Sequence, residues 1–432
     1  MKTQVGQIAA REARQETLPI KLGINGIGRI GKLNLWHHVA RRSFEGLVVN
    51  AGREAGKGLQ DIADYLNRDS TYGALARYIH GFRAGRAIEE IDEAAGTIRI
   101  NGVKVEILRE ARNPAKIPWR QKGVSLVAEC TGAFRDPTVP ADDPKGSLRG
   151  HLAGGASKVI LSAPFKIKEK ARDMPEDAVT SIQGINDGAY DPKRHCVISV
   201  ASCTTTCLAY MVKPLLDHFG PATILGASMV TVHAITGSQE VLDRLPGARS
   251  DDLRRNRGIF NNIILTTTGA ASALGLVIPE MKQIEFIAES VRVPTSTGSL
   301  IILMVNIQNL IPGEKITPER INHVYQKAAE GPLKKHLSFS EIQNVSSDII
   351  GVTSAAVIEG RETRAQTGVV RVALSESCSL LPEGRLEAGA SSTLQVPVTQ
   401  AVVYGWYDNE LGSFTNMMGE RTMTIARGLL KR

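Results

Sequence analysis

The sequence predicts an α/β protein: a Rossmann-type doubly wound parallel sheet followed by an α+β catalytic domain built on a mixed or antiparallel sheet. Three observations carry this. The short apolar run Ile20–Asn25 leads into Gly26-x-Gly28-x-x-Gly31 and a stretch of helical spacing, Lys32–Arg41. Further strand-like runs follow at Leu47–Asn50, Val124–Ala128, Lys158–Leu161 and Val197–Val200. After Cys203 the texture changes to long alternating runs, Ile224–His233, Phe286–Val293 and Ser299–Ile307, separated by the helical stretches Gly269–Leu276 and Pro318–Ala329. Strand, glycine turn, helix, strand opens a doubly wound sheet. Alternation with interposed helices suits a sheet covered on one face.

The elements divide the 432 residues into a polar arm (1–19), a dinucleotide-binding domain (20–202) completed by the C-terminal helix (411–432), and a catalytic domain (203–410). The segment Ala74–Leu108 alternates and contains Asn101-Gly102, which reads as an antiparallel hairpin. Ser375–Thr393, rich in Gly, Ser and Glu, reads as an exposed insertion.

Composition excludes several classes. With 42% hydrophobic and 22% charged residues the chain is ordinary globular material. Its apolar runs, such as Leu300–Val305, are strand-sized, far short of a membrane helix. Fifty-two Lys and Arg against 44 Asp and Glu give +8, mild for this length. That balance fits anionic substrates and does not call for nucleic acid. Five cysteines, at 130, 196, 203, 207 and 378, are too few and odd in number for a disulfide framework, so a reducing, cytoplasmic setting is expected. Met1–Leu18 lacks the apolar centre of a secretory signal.

The motifs carry the chemistry. In Gly26-x-Gly28-x-x-Gly31 the missing side chains let the backbone approach a pyrophosphate at a helix N-terminus, although a glycine turn also serves packing alone. The second strand ends Val49-Asn50-Ala51-Gly52-Arg53, with no carboxylate for ribose hydroxyls. Arg53 is a candidate for a ribose 2′-phosphate, or simply a solvated loop residue. Ser202-Cys203-Thr204-Thr205-Thr206-Cys207 places a cysteine at a helix start, where unpaired N–H groups favour a thiolate and Ser202 can cap. Cys207 fits an inert core position, and further ligands for a metal are not evident. His233, at a strand end, could pair with the thiolate or be structural.

Together these motifs resemble those of phosphorylating glyceraldehyde-3-phosphate dehydrogenases. Gly23–Gly31, Arg68-Asp-Ser-Thr-Tyr-Gly73, Ala201–Cys207, Thr231–Thr236, Leu265–Ala271, Val291–Thr295 and Trp406-Tyr-Asp-Asn-Glu410 follow in that family's order. The resemblance implies Cys203 as nucleophile and His233 as its ion-pair partner and general base. It implies Thr236 and Arg292 at the substrate phosphate, with Ser202, Thr204, Thr268 and Gly269 at the attacking phosphate and Arg255 in the same anionic neighbourhood. It implies NAD or NADP held by Asn25, Gly26, Gly28, Arg29, Ile30, Arg53, Arg112, Thr131, Ser162 and Asn409, and a homotetramer whose loop near Asp243–Ser250, with Arg244, reaches a neighbour's cofactor. The expected reaction converts a phosphorylated aldehyde and inorganic phosphate into an acyl phosphate.

Erythrose-4-phosphate dehydrogenases share these features. An aspartate-semialdehyde-type enzyme lacks the paired motifs, and a non-catalytic regulatory or RNA-binding relative is the reading of another class. Departures from the family pattern are Thr206 and Val200 for Asn, Ser238 and Ala51 for Asp, Ser413 for Tyr, an unusual Leu411, and an apparent insertion at Pro140–Gly150.

Overall fold

A computed structural model describes residues 17–83, 85–169, 171–247, 252–310, 315–373 and 393–431. Cys378, most of the arm and most of the Ser375–Thr393 segment lie outside them.

The first sheet has nine strands. From one edge they run Ala178–Thr180, Val197–Ser199, Lys158–Leu161, Val124–Glu129, Leu18–Asn25, Phe44–Asn50 and Val103–Leu108, all parallel, then Thr97–Ile100 and Ile88–Asp92, antiparallel. The chain starts in the middle and winds outward both ways. The reversal falls beside Leu18–Asn25, and crevices at such points receive ligands. Register places Asn25 beside Asn50 and beside Glu129 at the carboxyl ends of three neighbouring strands.

The Ala74–Leu108 segment differs from the expected hairpin in two respects. Leu75–His80 is a helix, because Leu75 and Tyr78 are buried at i and i+3. Val103–Leu108 joins the parallel array, and only the strands from Ile88 to Ile100 extend it antiparallel. The Asn101-Gly102 turn forms as expected, both residues having positive φ (49° and 79°).

The second sheet has eight strands and is mixed. Its order is Ile264–Thr266, Phe286–Arg292, Ile224–His233, Ser299–Gln308, Thr393–Tyr407, Ala356–Glu359 and Leu337–Ser340, with Arg364–Ala373 paired to Thr393–Tyr407. The helices Cys203–Phe219, Ala270–Val277 and Pro318–Glu330 contribute Leu208, Met211, Leu215, Leu274, Ile321 and Tyr325 to a core shared with the inward strand residues Ile301, Leu303 and Val403. The C-terminal segment opens as a π-type turn at Leu411–Asn416 and continues as the helix Met417–Leu430. Its Met418, Met423 and Ile425 pack into the first core, against Leu33, Trp36 and Val39 of the helix Arg29–Arg41.

On the first of these helices His37, against Gly419 of the C-terminal helix, and His38, against Phe44, are fully buried, their ring nitrogens without a hydrogen bond among the described residues. Burial, reinforced by the charge of Arg41, lowers both, His38 to about 3. An unfolded histidine titrates near 6.5. Below that pH the unfolded chain takes up protons that the folded rings refuse. The stability present above pH 6.5 is therefore lost as pH falls towards 3, by about 1 kcal/mol per pH unit for each ring. Urea denaturation of a His38→Leu variant is expected to show a shallower loss of stability between pH 6 and 4 than the parent chain. Equal slopes would contradict this account.

Candidate active site

The strand Val197–Ser199 delivers the chain to the helix Cys203–Phe219 through a forced turn. Ala201 has φ +60°, a left-handed conformation that costs a residue with a Cβ. It is held there because the Ser199 hydroxyl accepts from Ala201 N–H (3.0 Å) and donates to the Ala163 carbonyl (2.7 Å). Ser202 caps the helix, its Oγ accepting from Thr205 N–H at 3.1 Å. Cys203 is thereby the first helical residue, at the end where free N–H groups concentrate positive potential.

The facing group comes from the other sheet. His233 closes the strand Ile224–His233, and parallel pairing puts it directly beside Arg292, the last residue of Phe286–Arg292. His233 Nε2 stands 3.5 Å from Cys203 Sγ. His233 Nδ1 lies 2.7 Å from the Ala234 carbonyl; in the tautomer that donates to it, Nε2 turns its lone pair towards the sulfur. The Arg292 guanidinium packs against the Nδ1 edge and donates to the Ala234 carbonyl at 3.3 Å, while its buried Nε has no acceptor among the described residues. A buried guanidinium with an unused donor beside a thiol is a fit for an anionic group on a substrate.

Tyr407, which sequence reading passed over, supports the pair. Its ring meets the His233 ring edge-on at 5.9 Å, and its hydroxyl lies 3.0 Å from Thr204 Oγ1 and 2.8 Å from Thr231 Oγ1. Thr204 is consequently buried, with its hydroxyl engaged inward. Ser202 is similarly occupied in capping, and its hydroxyl also meets Thr205 Oγ1 at 2.8 Å. Thr236 is half-buried, its Oγ1 donating to Gln239 Oε1 at 2.7 Å and touching Ser238 Oγ at 3.0 Å. Thr268 and Gly269 precede the helix Ala270–Val277, which packs on the nucleophile helix. Arg255 is exposed, 3.5 Å from Asp252.

The nucleotide turn has the shape its glycines predict. A Cβ on Gly31 would fall 1.8 Å from the Gly26 carbonyl, and Gly26 itself needs φ +90°. At Gly28 a Cβ would meet nothing within 4 Å: that face is open, and Gly28 offers no side chain to cap the helix Arg29–Arg41. An anion can therefore reach the free N–H groups. A cleft of about 470 Å³ continues from there, lined by Asn25, Gly26, Asn50, Ala51, Arg53, Arg112 and Thr131 among others. Its floor is a buried relay. Glu129 accepts from Asn25 Nδ2 (2.6 Å), from Thr131 N–H (2.7 Å) and from His151 Nε2 (2.9 Å). Asn25 Oδ1 in turn accepts from Asn50 (2.8 Å). At the nicotinamide end expected from the sequence, Asn409 Oδ1 accepts from Thr297 (3.0 Å) and Ser299 (2.9 Å), which leaves the amide N–H groups to donate. Ser162 takes its place at the sheet end through its N–H to the Glu129 carbonyl (3.0 Å), and Ile30 is half-buried against the first core.

Arg29 belongs to the turn expected at the pyrophosphate, and its guanidinium pairs with Glu410 (Nε to Oε1, 3.0 Å) and Asp69, tying the glycine turn to the segment after Tyr407. Asp408 makes a second tie, its Oδ1 accepting from the Tyr72 hydroxyl at 2.7 Å. Only the backbone of Arg29 remains for a pyrophosphate.

The chain is similar to known proteins over nearly its whole length. Residues 20–137 match the family model for the NAD binding domain of glyceraldehyde 3-phosphate dehydrogenase, and residues 202–374 match that for its C-terminal domain. Glyceraldehyde-3-phosphate dehydrogenase 2 of Streptomyces avermitilis is 35% identical over 413 residues, covering 95% of this chain and all of the relative. The Streptomyces coelicolor enzyme is 36% identical over 415 residues, and that of Geobacillus stearothermophilus 33% over 412, with the same coverage. The chain belongs to the glyceraldehyde-3-phosphate dehydrogenase family.

Within that family its departures have visible consequences. Ser413 is buried, and its hydroxyl reaches the Cys203 carbonyl at 3.4 Å, so the short side chain still holds the nucleophile turn. Thr206 is buried one turn into the helix and Val200 lies in the first core. Ala51 leaves the adenosine end of the cleft without a carboxylate.

The electrostatics of the pair have identifiable sources. Burial pushes the Cys203 thiol up, while Arg292 and hydrogen bonds from Thr204 pull it back. Burial pushes His233 down to about 3, the Arg292 charge adds to this, and the Ala234 carbonyl opposes it. Burial thus works against charge on both partners, while Arg292 favours the anion on the sulfur. His233 Nε2 stands where it can exchange a proton with the sulfur. Arg292 lowers the thiol pKa, so its loss moves the thiol to higher pH. Iodoacetamide labelling should modify Cys203 ahead of the buried Cys207. A His233→Asn change should slow that labelling about tenfold or more, and Arg292→Leu should shift its pH profile alkaline by about one unit. Identical rates and profiles in all three proteins would contradict the assigned roles.

Proposed function

We propose that this chain is a phosphorylating glyceraldehyde-3-phosphate dehydrogenase that reversibly converts glyceraldehyde 3-phosphate and inorganic phosphate to 1,3-bisphosphoglycerate with NAD or NADP. The observation that carries the reading is the 3.5 Å approach of His233 Nε2 to Cys203 Sγ, with the Arg292 guanidinium beside them. Cys203 Sγ adds to the aldehyde carbon, and the thiol proton is passed on, giving a thiohemiacetal. His233 Nε2 takes the hydroxyl proton of that adduct as the carbon is oxidised to a thioester. The nicotinamide, when bound, supplies the two-electron acceptor for the departing hydride. Phosphate oxygen then attacks the thioester carbonyl, the C–S bond breaks, and the thiol is regenerated.

Arg292 and Thr236 hold the substrate phosphate. The attacking phosphate meets the helix start at Gly269, Thr268 and the exposed Arg255, with the backbone around Ser202 and Thr204 in place of their engaged hydroxyls. Asn409 orients the carboxamide, and the Gly26–Gly31 turn takes the pyrophosphate. The absence of a carboxylate at Ala51, with Arg53 close by, supports use of NADP as well as NAD. Exposed apolar side chains on strands of the second sheet, Leu225, Leu265 and Ile287, fit burial against other copies in a homotetramer. None of the described helices is long and apolar enough to cross a membrane, which fits a cytoplasmic enzyme.

Absorbance of the reduced nucleotide should appear only when aldehyde, dinucleotide and inorganic phosphate are all present, and more with glyceraldehyde 3-phosphate than with erythrose 4-phosphate. Cys203→Ser should abolish it, and His233→Asn should cut kcat by roughly 10²–10⁴. Full turnover without phosphate, or with Cys203 replaced, would overturn the mechanism. An Ala51→Asp change should lower kcat/KM for NADP relative to NAD about tenfold, since the added carboxylate repels a 2′-phosphate.

A further inference from the structure

The loop that follows Pro140 is not an idle insertion. It folds back over the adenosine end of the cleft, where Pro144 and Lys145 line the same cavity as Ala51, Gly52, Arg53 and Arg112. Two features fix it there. Asp143 closes an Asx turn, its Oδ1 accepting from the Lys145 N–H at 2.8 Å while its carbonyl accepts from the Gly146 N–H at 2.9 Å. Asn113, from the opposite wall, donates its amide to the Asp143 carbonyl (3.2 Å) and the Pro144 carbonyl (3.4 Å).

The lining of this cavity holds three cationic side chains and no Asp or Glu. Arg112 is steadied by a bond from its Nε to the Gly52 carbonyl at 3.3 Å. The Arg53 guanidinium and the Lys145 ammonium engage no acceptor among the described residues. Glu54 and Glu110 line the adjoining hollow, which Arg53 and Arg112 also border; Glu54 pairs with Arg109 at 3.3 Å, and Asp143 is used by the loop itself. Three cations lining one cavity without a carboxylate among its walls suit a dianion better than neutral hydroxyls.

We infer that the Pro140–Gly146 loop builds a phosphomonoester subsite at the adenosine end of the cleft, in which Lys145 joins Arg53 and Arg112 to hold the 2′-phosphate of an adenine dinucleotide. The inference rests on the proposed use of NADP and extends it by assigning the phosphate to a loop outside the glycine turn and the second strand. Lys145 sets specificity here, and Asn113 positions it.

Calorimetric titration of the full chain with ADP-ribose and with 2′-phospho-ADP-ribose tests this without any turnover. The parent chain is expected to prefer the phosphorylated ligand, and the preference should shrink between 50 mM and 500 mM salt. Lys145→Ala should reduce the ratio of the two affinities about fivefold, Lys145→Arg should restore it, and Arg53→Ala should reduce it as well. A parent chain with no preference would overturn the NADP reading and the subsite together. A preference lost in Arg53→Ala but intact in Lys145→Ala would overturn the loop's role while leaving NADP use in place.

Discussion

The reaction centre depends on one approach, that of His233 Nε2 to Cys203 Sγ. Neither element can make it alone. The sulfur is presented by a helix whose entry angle is set by the strained Ala201 turn at the end of the first sheet. The imidazole is presented by a strand of the second sheet, and its direction is fixed by the Ala234 carbonyl on one side and Arg292 on the other. Parallel register makes the last contact automatic, because residues paired side by side at two strand ends must share one edge. Anything that slid these strands by one residue would turn Arg292 to the opposite face and remove the cation from the sulfur.

Much of this was legible in the residues. The apolar run before Gly26, the Ser202 cap before Cys203 and the alternation up to His233 are local signals, each read by neighbours a few positions away. The strand Ile224–His233 and the helix Pro318–Glu330 fall where their spacing puts them. What escaped reading is what distant segments decide. Tyr407 falls in the Trp406–Glu410 motif without a role of its own, yet its hydroxyl joins Thr204 and Thr231, 203 and 176 residues away. Arg29 sits in a cofactor motif but is claimed by Glu410, 381 residues later. Leu75–His80 is too short for its period to announce a helix against the alternation around it.

The same distant contacts join the two halves of the site. Arg29 to Glu410 and Tyr72 to Asp408 bracket Asn409, the residue placed to meet a carboxamide. The glycine turn and the reaction centre are therefore fixed to a common segment. A dinucleotide lying between them would be held at both ends by groups whose spacing is set by a partly buried ion pair and a hydrogen bond rather than by a flexible linker. Partly buried charges of this kind are costly to separate once one partner is removed.

Burial at the reaction centre acts in two opposed ways. It withholds charge from both Cys203 and His233, which makes the resting sulfur less nucleophilic than an exposed thiolate. In the proposed reaction it would also keep water from the thioester, whose hydrolysis would discard the product of oxidation. The two effects are reconciled by Arg292. Its charge disfavours a proton on His233 yet favours an anion on the sulfur. In the proposed reaction a substrate phosphate bound at Arg292 would neutralise part of that field and make the imidazole more basic. The arrival of the ligand would then strengthen the base at the moment a proton has to be removed.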